Sequence, residues 1–199
     1  MDTVLYEKKD LETIRDELLK GKIIAFPTDT VFGLACVYDD LNAINKIMKA
    51  KNRSYDKALP MMCSSKKMIE QVAVVNANAR KLMDHLMPGP LTLIYEKKNL
   101  PDFVTLGKKT IAIRMPDDKW IIELINRVNK PLLVTSANLS DSGSLLKWES
   151  VYGELNTRID GIVKADATGN AASTIVDVTD DIRIIRSGPI SEEEIREAL

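Results

Sequence analysis

Apolar residues recur along this chain in two patterns, as short continuous runs and at the spacing of a helix face. The short runs are rich in Val and Ile and end at Gly, Pro, Asp or Ser, which is typical of buried strands. They predict eight strands, at residues 23–26, 31–37, 91–95, 111–115, 132–135, 161–164, 174–178 and 182–186. Helical spacing places Leu11, Ile14 and Leu18 on one face of a helix that Gly21 ends, and residues 41–48 and 120–128 show the same spacing.

This alternation of strands and helices predicts an α/β or α+β fold, in which helices cover a central twisted sheet. No internal repeat, low-complexity tract or long linker divides the chain. Residues 1–199 are therefore expected to form one domain.

Composition narrows the class of protein without identifying it. The 199 residues are 45% hydrophobic and 29% charged, with a formal net charge of −1, so no overall field favours nucleic acid or anionic lipid. The N-terminal segment is acidic and amphipathic, unlike a signal peptide, and no apolar stretch approaches the ~20 residues that span a bilayer. We expect a cytoplasmic protein without membrane contact. Cys36, Cys63 and a single histidine form no zinc motif, and both cysteines are expected to be buried free thiols.

Polar and basic side chains collect at the ends of the predicted strands, where α/β folds bind ligands. Five clusters stand out, at residues 27–30, 46–57, 110–116, 132–143 and 171–178 with 184–190. Each also fits a structural role, respectively a turn, a solvated helix end, a buried salt bridge, a helix N-cap and a hairpin turn. The fourth cluster is the most specific, because hydroxyl and amide groups that follow an apolar strand suit phosphate or ribose.

Single residues within the clusters leave alternatives open. Arg114 lies in a buried strand and needs an anion, which either a structural carboxylate or a bound ligand could supply. Asp29 could act as a base or a metal ligand. His85 lies in the last turn of a helix, which does not favour a Ser-His-Asp site. The sequence contains neither a P-loop nor a G-x-G-x-x-G turn, so a nucleotide would bind to side chains and strand ends.

Seven ordered segments resemble the signature blocks of the YrdC-like family, the threonylcarbamoyl-AMP synthases. They are FPTDTVFGLAC (26–36), KNRSYDKALP (51–60), MPGPLT (87–92), TIAIRMP (110–116), TSANLS (135–140), STIVDV (173–178) and RSGPI (186–190). The resemblance implies a twisted open mixed sheet around a deep basic cavity. It also implies an enzyme that converts L-threonine, bicarbonate and ATP into threonylcarbamoyl-AMP and pyrophosphate, without the extra C-terminal domain of longer members.

The resemblance also implies roles for individual residues. Lys51 and Arg53 would be catalytic. The ATP contacts would come from Arg53, Lys57, Thr110, Asn138 and Arg186, and the threonine contacts from Thr30, Arg114, Ser136 and Ser173. Mg²⁺ would arrive with ATP, with no metal site on the protein. A transferase complex would use the product to modify tRNA, and it is open whether the loop at residues 141–148 contacts nucleotide.

Two other functions fit the same residues. The basic cavity could be a non-catalytic site for double-stranded RNA or tRNA, whose affinity would fall steeply with salt. A related enzyme that forms adenylates or transfers carbamoyl groups could use a different acceptor amine. For catalysis, fixed cations must hold a carbamate against a triphosphate, and we expect a mobile flap at residues 51–57 or 140–148 to enclose them.

Overall fold

The strands of this protein pair into one mixed sheet that does not close on itself. A computed structural model describes residues 2–140 and 142–199, and in them eleven strands pair in the order β1-β9-β2-β3-β8-β4-β7-β6-β10-β11, with β5 on β6. The strands are β1 (Val4–Tyr6), β2 (Ile24–Phe26), β3 (Gly33–Val37), β4 (Met61–Met62), β5 (Ala73–Val74), β6 (Leu91–Lys97), β7 (Thr110–Arg114), β8 (Leu132–Ser136), β9 (Gly161–Val163), β10 (Thr174–Asp177) and β11 (Arg183–Arg186). The sheet contains parallel pairs, such as β4–β7 and β6–β10, and antiparallel pairs, such as β3–β8 and β6–β7.

Helices occupy most of the connections between these strands. They are α1 (Leu11–Leu19), α2 (Leu41–Ala50), α3 (Lys66–Val72), α4 (Ala77–Leu86), α5 (Asp102–Thr105), α6 (Lys119–Val128), α7 (Trp148–Leu155) and α8 (Glu192–Glu197). The Asp40 side chain accepts the backbone N–H of Ala43 in the first turn of α2, and the Asp118 side chain accepts those of Trp120 and Ile121 in the first turn of α6. Gly21 follows α1 with a φ of +76°, which a residue with a Cβ adopts only at a cost. None of the described helices combines the length and the apolar character needed to cross a membrane.

The sequence pattern located all eight predicted strands, each with ends within two residues of those observed. The largest shortening is in β3, which begins at Gly33 because the residues before it form a turn. Three strands of two or three residues, β1, β4 and β5, were not predicted. Cys36 and Cys63 are buried free thiols as expected, and burial raises the pKa of both.

The two faces of the sheet are covered unequally. On one face α2, α3, α4, α7 and α8 contribute to a large core cluster that spans the sheet. On the other face α1 and α6 cover β1, β9, β2, β3, β8 and Met62 of β4, and that second cluster contains no described residue of β6, β7, β10 or β11. Two apolar side chains of those four strands on this face, Ile94 and Ile175, are partly exposed. The uncovered half of this face forms the floor of the site described next.

Candidate active site

A cavity of about 370 Å³ lies on the uncovered half of the sheet. Its floor is built from strand residues, among them Met62, Thr92, Ala112 and Val134, and its wall from the turn that precedes β3. We call it the sheet cavity. Arg53, Arg114 and Arg186 all line it, and no Asp or Glu is among its described lining residues. The cavity therefore combines an apolar floor with three fixed cations.

A second cavity of about 260 Å³ adjoins the first and shares Arg53, Ser136 and Ser144 with it. We call it the polar cavity, because its described lining consists of Lys, Arg, Ser and Asn. The lining residues predicted from the sequence are Lys51, Arg53, Lys57, Ser136 and Asn138. Three cations without a lining carboxylate make this cavity suited to an anion such as phosphate.

The predicted site residues therefore divide between the two cavities. The sheet cavity is lined by Thr30, Arg53, Arg114, Ser136, Ser173 and Arg186, and the polar cavity by Lys51, Arg53, Lys57, Ser136 and Asn138. Thr110 is not among the described residues that line either cavity. It is the first residue of β7 and lies two residues before Ala112, which does line the sheet cavity. His85 is exposed at the end of α4 and bonds to the Lys81 carbonyl, away from both cavities.

Arg114 is almost fully buried, and three of its N–H groups are bonded within the protein. Its Nε donates to the Gly89 carbonyl at 3.0 Å, Nη1 to the Thr30 hydroxyl at 2.5 Å, and Nη2 to Asp29 Oδ2 at 2.6 Å. Two N–H groups make no hydrogen bond within the described residues, and Arg114 lines the sheet cavity. The guanidinium group is thus held rigidly, with donors left for a ligand.

Asp29 supplies the anion that Arg114 requires, so the structural alternative raised by the sequence is the one observed. The pair is well buried, with 5% of the Arg114 side chain and 13% of the Asp29 side chain exposed. Asp29 Oδ2 also accepts the backbone N–H of Asp117 at 3.0 Å, which ties the turn before β3 to the loop after β7. Burial lowers the pKa of Arg114, and the charge of Asp29 opposes that shift. The sequence did not reveal this role, because the two residues are far apart along the chain.

The threonines of the turn explain why polar residues interrupt an otherwise apolar strand. The Thr28 hydroxyl accepts the backbone N–H groups of Thr30 and Val31 and donates to the Val31 carbonyl at 2.7 Å. The Thr30 hydroxyl lies 3.0 Å from that of Thr28 and accepts from Arg114. These bonds fold the chain back before β3 and place Thr30 in the cavity wall.

Lys51 is buried directly after α2 and braces the end of β8. Its ammonium group donates to the backbone carbonyl groups of Ser136 and Asn138, and the third N–H makes no bond within the described residues. Burial and, to a smaller extent, the charge of Arg53 lower the pKa of Lys51 to about 8, and the charge of Glu154 opposes the shift. Lys51 therefore positions the polar cavity as well as contributing charge to it.

The shifted pKa of Lys51 predicts that anion binding depends on pH. Sulfate keeps its charge in neutral and alkaline solution, and we expect its affinity to fall as the pH rises through about 8, because Lys51 then loses its proton. Calorimetric titration against pH would measure this effect. Lys51→Met should bind sulfate weakly at every pH, and an alkaline decline that persisted in that variant would assign the titration to another group.

Lys51 titration also affects stability, with the opposite sign. The unfolded chain keeps the lysine proton up to the ordinary pKa of 10.5, whereas the folded protein releases it at about 8. Raising the pH between these values therefore favours the folded state, through this residue alone.

Two arginines are held by backbone carbonyl groups rather than by carboxylates. Arg53 donates from Nε to Lys57 and from Nη2 to Ala58, and Arg186 donates from Nε and Nη2 to Ser173. Burial lowers the pKa of both side chains. Neither guanidinium has an ion-pair partner within 4 Å in the described residues, so their charge remains available to a ligand.

The hydroxyl groups of Thr92 and Ser173 form a pair on the cavity floor. Their oxygen atoms lie 2.7 Å apart, and Arg186 Nη2 approaches the Ser173 hydroxyl at 3.3 Å. Both residues are buried. Thr92 was not predicted as a site residue, although its place in the MPGPLT segment, where β6 begins, was the available signal.

Asn138 organises the loop that follows β8. Its amide group donates to the carbonyl groups of Leu139 and Ser142, both at 2.8 Å, and Glu154 accepts from the Leu139 N–H and the Ser142 hydroxyl. The Asn138 Oδ1 and Ser140 Oγ atoms are buried without a partner in the described residues. Asp141, the first residue of the loop whose nucleotide contact was left open, lies outside the described residues. Ser142 and Ser144 of that loop line the polar cavity.

Gly169 lies directly against the backbone of the turn that precedes β3. A Cβ at this position would lie 2.4 Å from the Thr30 Cα and 2.5 Å from the Asp29 carbonyl oxygen, both backbone atoms that cannot rotate away. We expect Gly169→Ala to lower the free energy of unfolding by about 1–3 kcal/mol. The matched control is Gly153→Ala in α7, where a Cβ meets no atom within 4 Å and should stabilise by up to about 1 kcal/mol. Urea unfolding would compare the variants, and equal stability would show that the turn can move.

Within the described residues, no group of three or more His, Cys, Asp or Glu side chains converges to hold a metal ion. Asp29 is paired with Arg114, and its Oδ1 is buried without a partner. The expectation that Asp29 could be a metal ligand therefore gains no support.

Comparison with known proteins relates this site to one family. The Sua5/YciO/YrdC family model, described as "Telomere recombination", matches residues 16–188. A Bacillus subtilis protein named threonylcarbamoyl-AMP synthase is 38% identical over 89% of this chain, which spans 53% of that relative's length. A Vibrio parahaemolyticus protein of the same name is 29% identical, with 90% of this chain and 99% of the relative covered. The crystal structure of Pyrococcus abyssi Sua5 complexed with L-threonine superposes with a TM-score of 0.92 at 30% identity, covering 99% of this chain and 60% of that one.

Proposed function

Because the chain belongs to the Sua5/YciO/YrdC family, we propose that it is a threonylcarbamoyl-AMP synthase. It would join L-threonine, bicarbonate and ATP into threonylcarbamoyl-AMP and pyrophosphate. The observation that carries the proposal is the convergence of five cations on two joined cavities, namely Lys51, Arg53, Lys57, Arg114 and Arg186. The names of the relatives and the L-threonine complex of the Pyrococcus neighbour support the same activity.

The chemistry requires two anions to meet. The threonine amine adds to bicarbonate with loss of water, and a carbamate oxygen then attacks the α-phosphorus of ATP, so that pyrophosphate leaves. In water the carbamate and the triphosphate repel each other. Fixed cations remove that repulsion, and correct placement adds effective molarities of about 10⁵ M or more.

We assign threonine to the sheet cavity and the phosphates to the polar cavity. The two unbonded N–H groups of Arg114 would hold the threonine carboxylate, with Thr30, Ser136 and Ser173 beside the substrate. Lys51, Arg53 and Lys57 would hold the phosphates, because no carboxylate lines their cavity in the described residues. Arg53 lines both cavities and lies where the carbamate would meet the α-phosphate.

The remaining nucleotide contacts are also proposals. Asn138 in the polar cavity and Arg186 in the sheet cavity would contact the nucleotide, whereas Thr110 would do so only if ATP extended beyond the described sheet cavity. Mg²⁺ would enter as part of Mg–ATP and neutralise phosphate charge. The product would pass to a transferase complex that modifies tRNA, in the cytoplasm.

Release of pyrophosphate from ATP tests the proposal directly. We expect release only when L-threonine and bicarbonate are both present. The reason is that pyrophosphate leaves when the carbamate attacks the α-phosphorus, and the carbamate forms from these two substrates. Release that continues without threonine would contradict it, and release with another amine in place of threonine would indicate a related adenylate-forming enzyme.

One alternative raised by the sequence is a non-catalytic module for double-stranded RNA or tRNA, whose affinity for RNA would fall steeply with salt concentration. The relatives named above are described as synthases, and none is described as an RNA-binding module. Tight, salt-sensitive binding of RNA without pyrophosphate release would favour that alternative.

A further inference from the structure

Arg114 has two neighbours in the sheet, and they differ in chemistry. Thr92 of β6 is its partner in the antiparallel pair with β7, and Met62 of β4 is its partner in the parallel pair. Residues directly opposite each other point to the same face, with Cβ atoms about 4.5–5.5 Å apart in an antiparallel pair. All three residues line the sheet cavity, so a ligand on Arg114 has a hydroxyl on one side and a thioether on the other.

Thr92 has hydrogen-bonding capacity that its protein partners do not use. A hydroxyl offers one donor and two acceptor positions, and the only partner of Thr92 Oγ1 among the described side chains is Ser173 Oγ at 2.7 Å. Arg186 donates towards the same Ser173 oxygen and so holds it in place. Whichever hydroxyl donates in this pair, Thr92 can make at least one further bond into the cavity.

The hydroxyl groups of Thr30 and Ser136, which also line the sheet cavity, are less available to a ligand on Arg114. The Thr28 hydroxyl donates its proton to the Val31 carbonyl, so Thr30 must be the donor in the bond between the two threonines. Thr30 also accepts from Arg114 and therefore retains one lone pair and no proton. Ser136 lies on β8, two strands from β7, which is about 10 Å across the sheet.

We propose that Thr92 is a specificity-determining residue that binds the side-chain hydroxyl of the amino-acid substrate. The inference rests on the proposed function and on the assignment of the substrate carboxylate to Arg114. In a β-hydroxy amino acid, only the α and β carbons separate the carboxylate from the hydroxyl. A substrate held on Arg114 can therefore place its hydroxyl at Thr92, whereas the Met62 side offers no comparable partner. Sites that bond a substrate hydroxyl reject analogues that lack it far more strongly than apolar pockets do.

Thr92→Val tests this role, because valine keeps the shape of threonine and removes only the hydroxyl. The measurement is kcat/KM for pyrophosphate release with L-threonine and with L-2-aminobutyrate, which lacks the hydroxyl. We expect kcat/KM for L-threonine to fall about 10- to 100-fold, because the substrate hydroxyl is left unpaired. The value for L-2-aminobutyrate should change less than about threefold. Thr92→Ser retains the hydroxyl and should preserve the preference for threonine.

A structural role for Thr92, as a link between β6 and the segment before β10, would give a different result. Both amino acids would then lose activity by the same factor in Thr92→Val, and that outcome would overturn the inference. So would a wild-type enzyme that does not prefer the hydroxylated substrate. Absence of pyrophosphate release with every amino acid tested on wild-type protein would instead refute the proposed function. Thr13→Val, at an exposed position of α1, is the matched control and should leave both values unchanged.

Discussion

Arg53→Ala is expected to lower kcat for pyrophosphate release by about 10²–10³. Arg53 lines both cavities and has no carboxylate within ion-pair distance in the described residues, so its charge remains available to the proposed substrates. It lies where the carbamate and the α-phosphate would meet, and loss of one preorganised donor to developing charge typically has an effect of this size. Steady-state kinetics with saturating threonine, bicarbonate and Mg–ATP would give the ratio.

The control for this variant is Arg127→Ala. Arg127 is exposed on α6, where it forms an ion pair with Glu123 at 2.7 Å, and it is not among the described residues that line the two cavities. Its removal should leave kcat unchanged and alter the free energy of unfolding by no more than about 1 kcal/mol. If Arg53→Ala folded normally and kept more than about a third of wild-type kcat, Arg53 would not act on the reacting groups.

Arg114→Ala is expected to raise the KM for threonine by about a hundredfold or more, and also to destabilise the fold. A charged hydrogen-bonded pair with the substrate carboxylate is lost, and Asp29 is left buried without its partner. Removing one member of a buried ion pair lowers the free energy of unfolding by about 3–5 kcal/mol. The KM for ATP should change little, because Arg114 does not line the polar cavity.

The double variant Asp29→Ala with Arg114→Ala separates the two effects. It removes both buried charges, so its stability should recover relative to Arg114→Ala, and a thermodynamic cycle would show strong coupling. Threonine affinity should not recover, because the carboxylate still lacks its partner. Recovery of threonine affinity in the double variant would mean that Arg114 has a purely structural role.

The parts of the site that could be predicted from the sequence are those marked by the residue types of a short segment. Polar and basic residues at the ends of apolar strands marked the clusters that contain Thr30, Ser136, Asn138, Ser173 and Arg186. The resemblance to a family then implied that these five residues bind ligands, and all of them line a cavity. The strands could be located because buried strands carry continuous apolar runs. These signals are contained in a few consecutive residues, so they need no knowledge of the fold.

The parts that could not be predicted depend on contacts between distant segments. The buried pair of Asp29 and Arg114 joins residues far apart in the chain, and Thr92 becomes a site residue only through its register with Arg114. The cavity itself exists because α1 and α6 cover only half of one sheet face, which the order of elements does not specify. Lys51 was predicted as a catalytic cation, but its bonds to two backbone carbonyl groups appear only in the folded chain.

The most direct test of this account is a labelling experiment on the wild-type protein with isotopically labelled bicarbonate, L-threonine and Mg–ATP. We expect a product in which the labelled carbon joins the threonine nitrogen to AMP, formed in equal amount to pyrophosphate and greatly reduced in Arg53→Ala. Pyrophosphate formed without incorporated label, or labelled product that was undiminished in Arg53→Ala, would show that these cavities do not bring a carbamate to ATP.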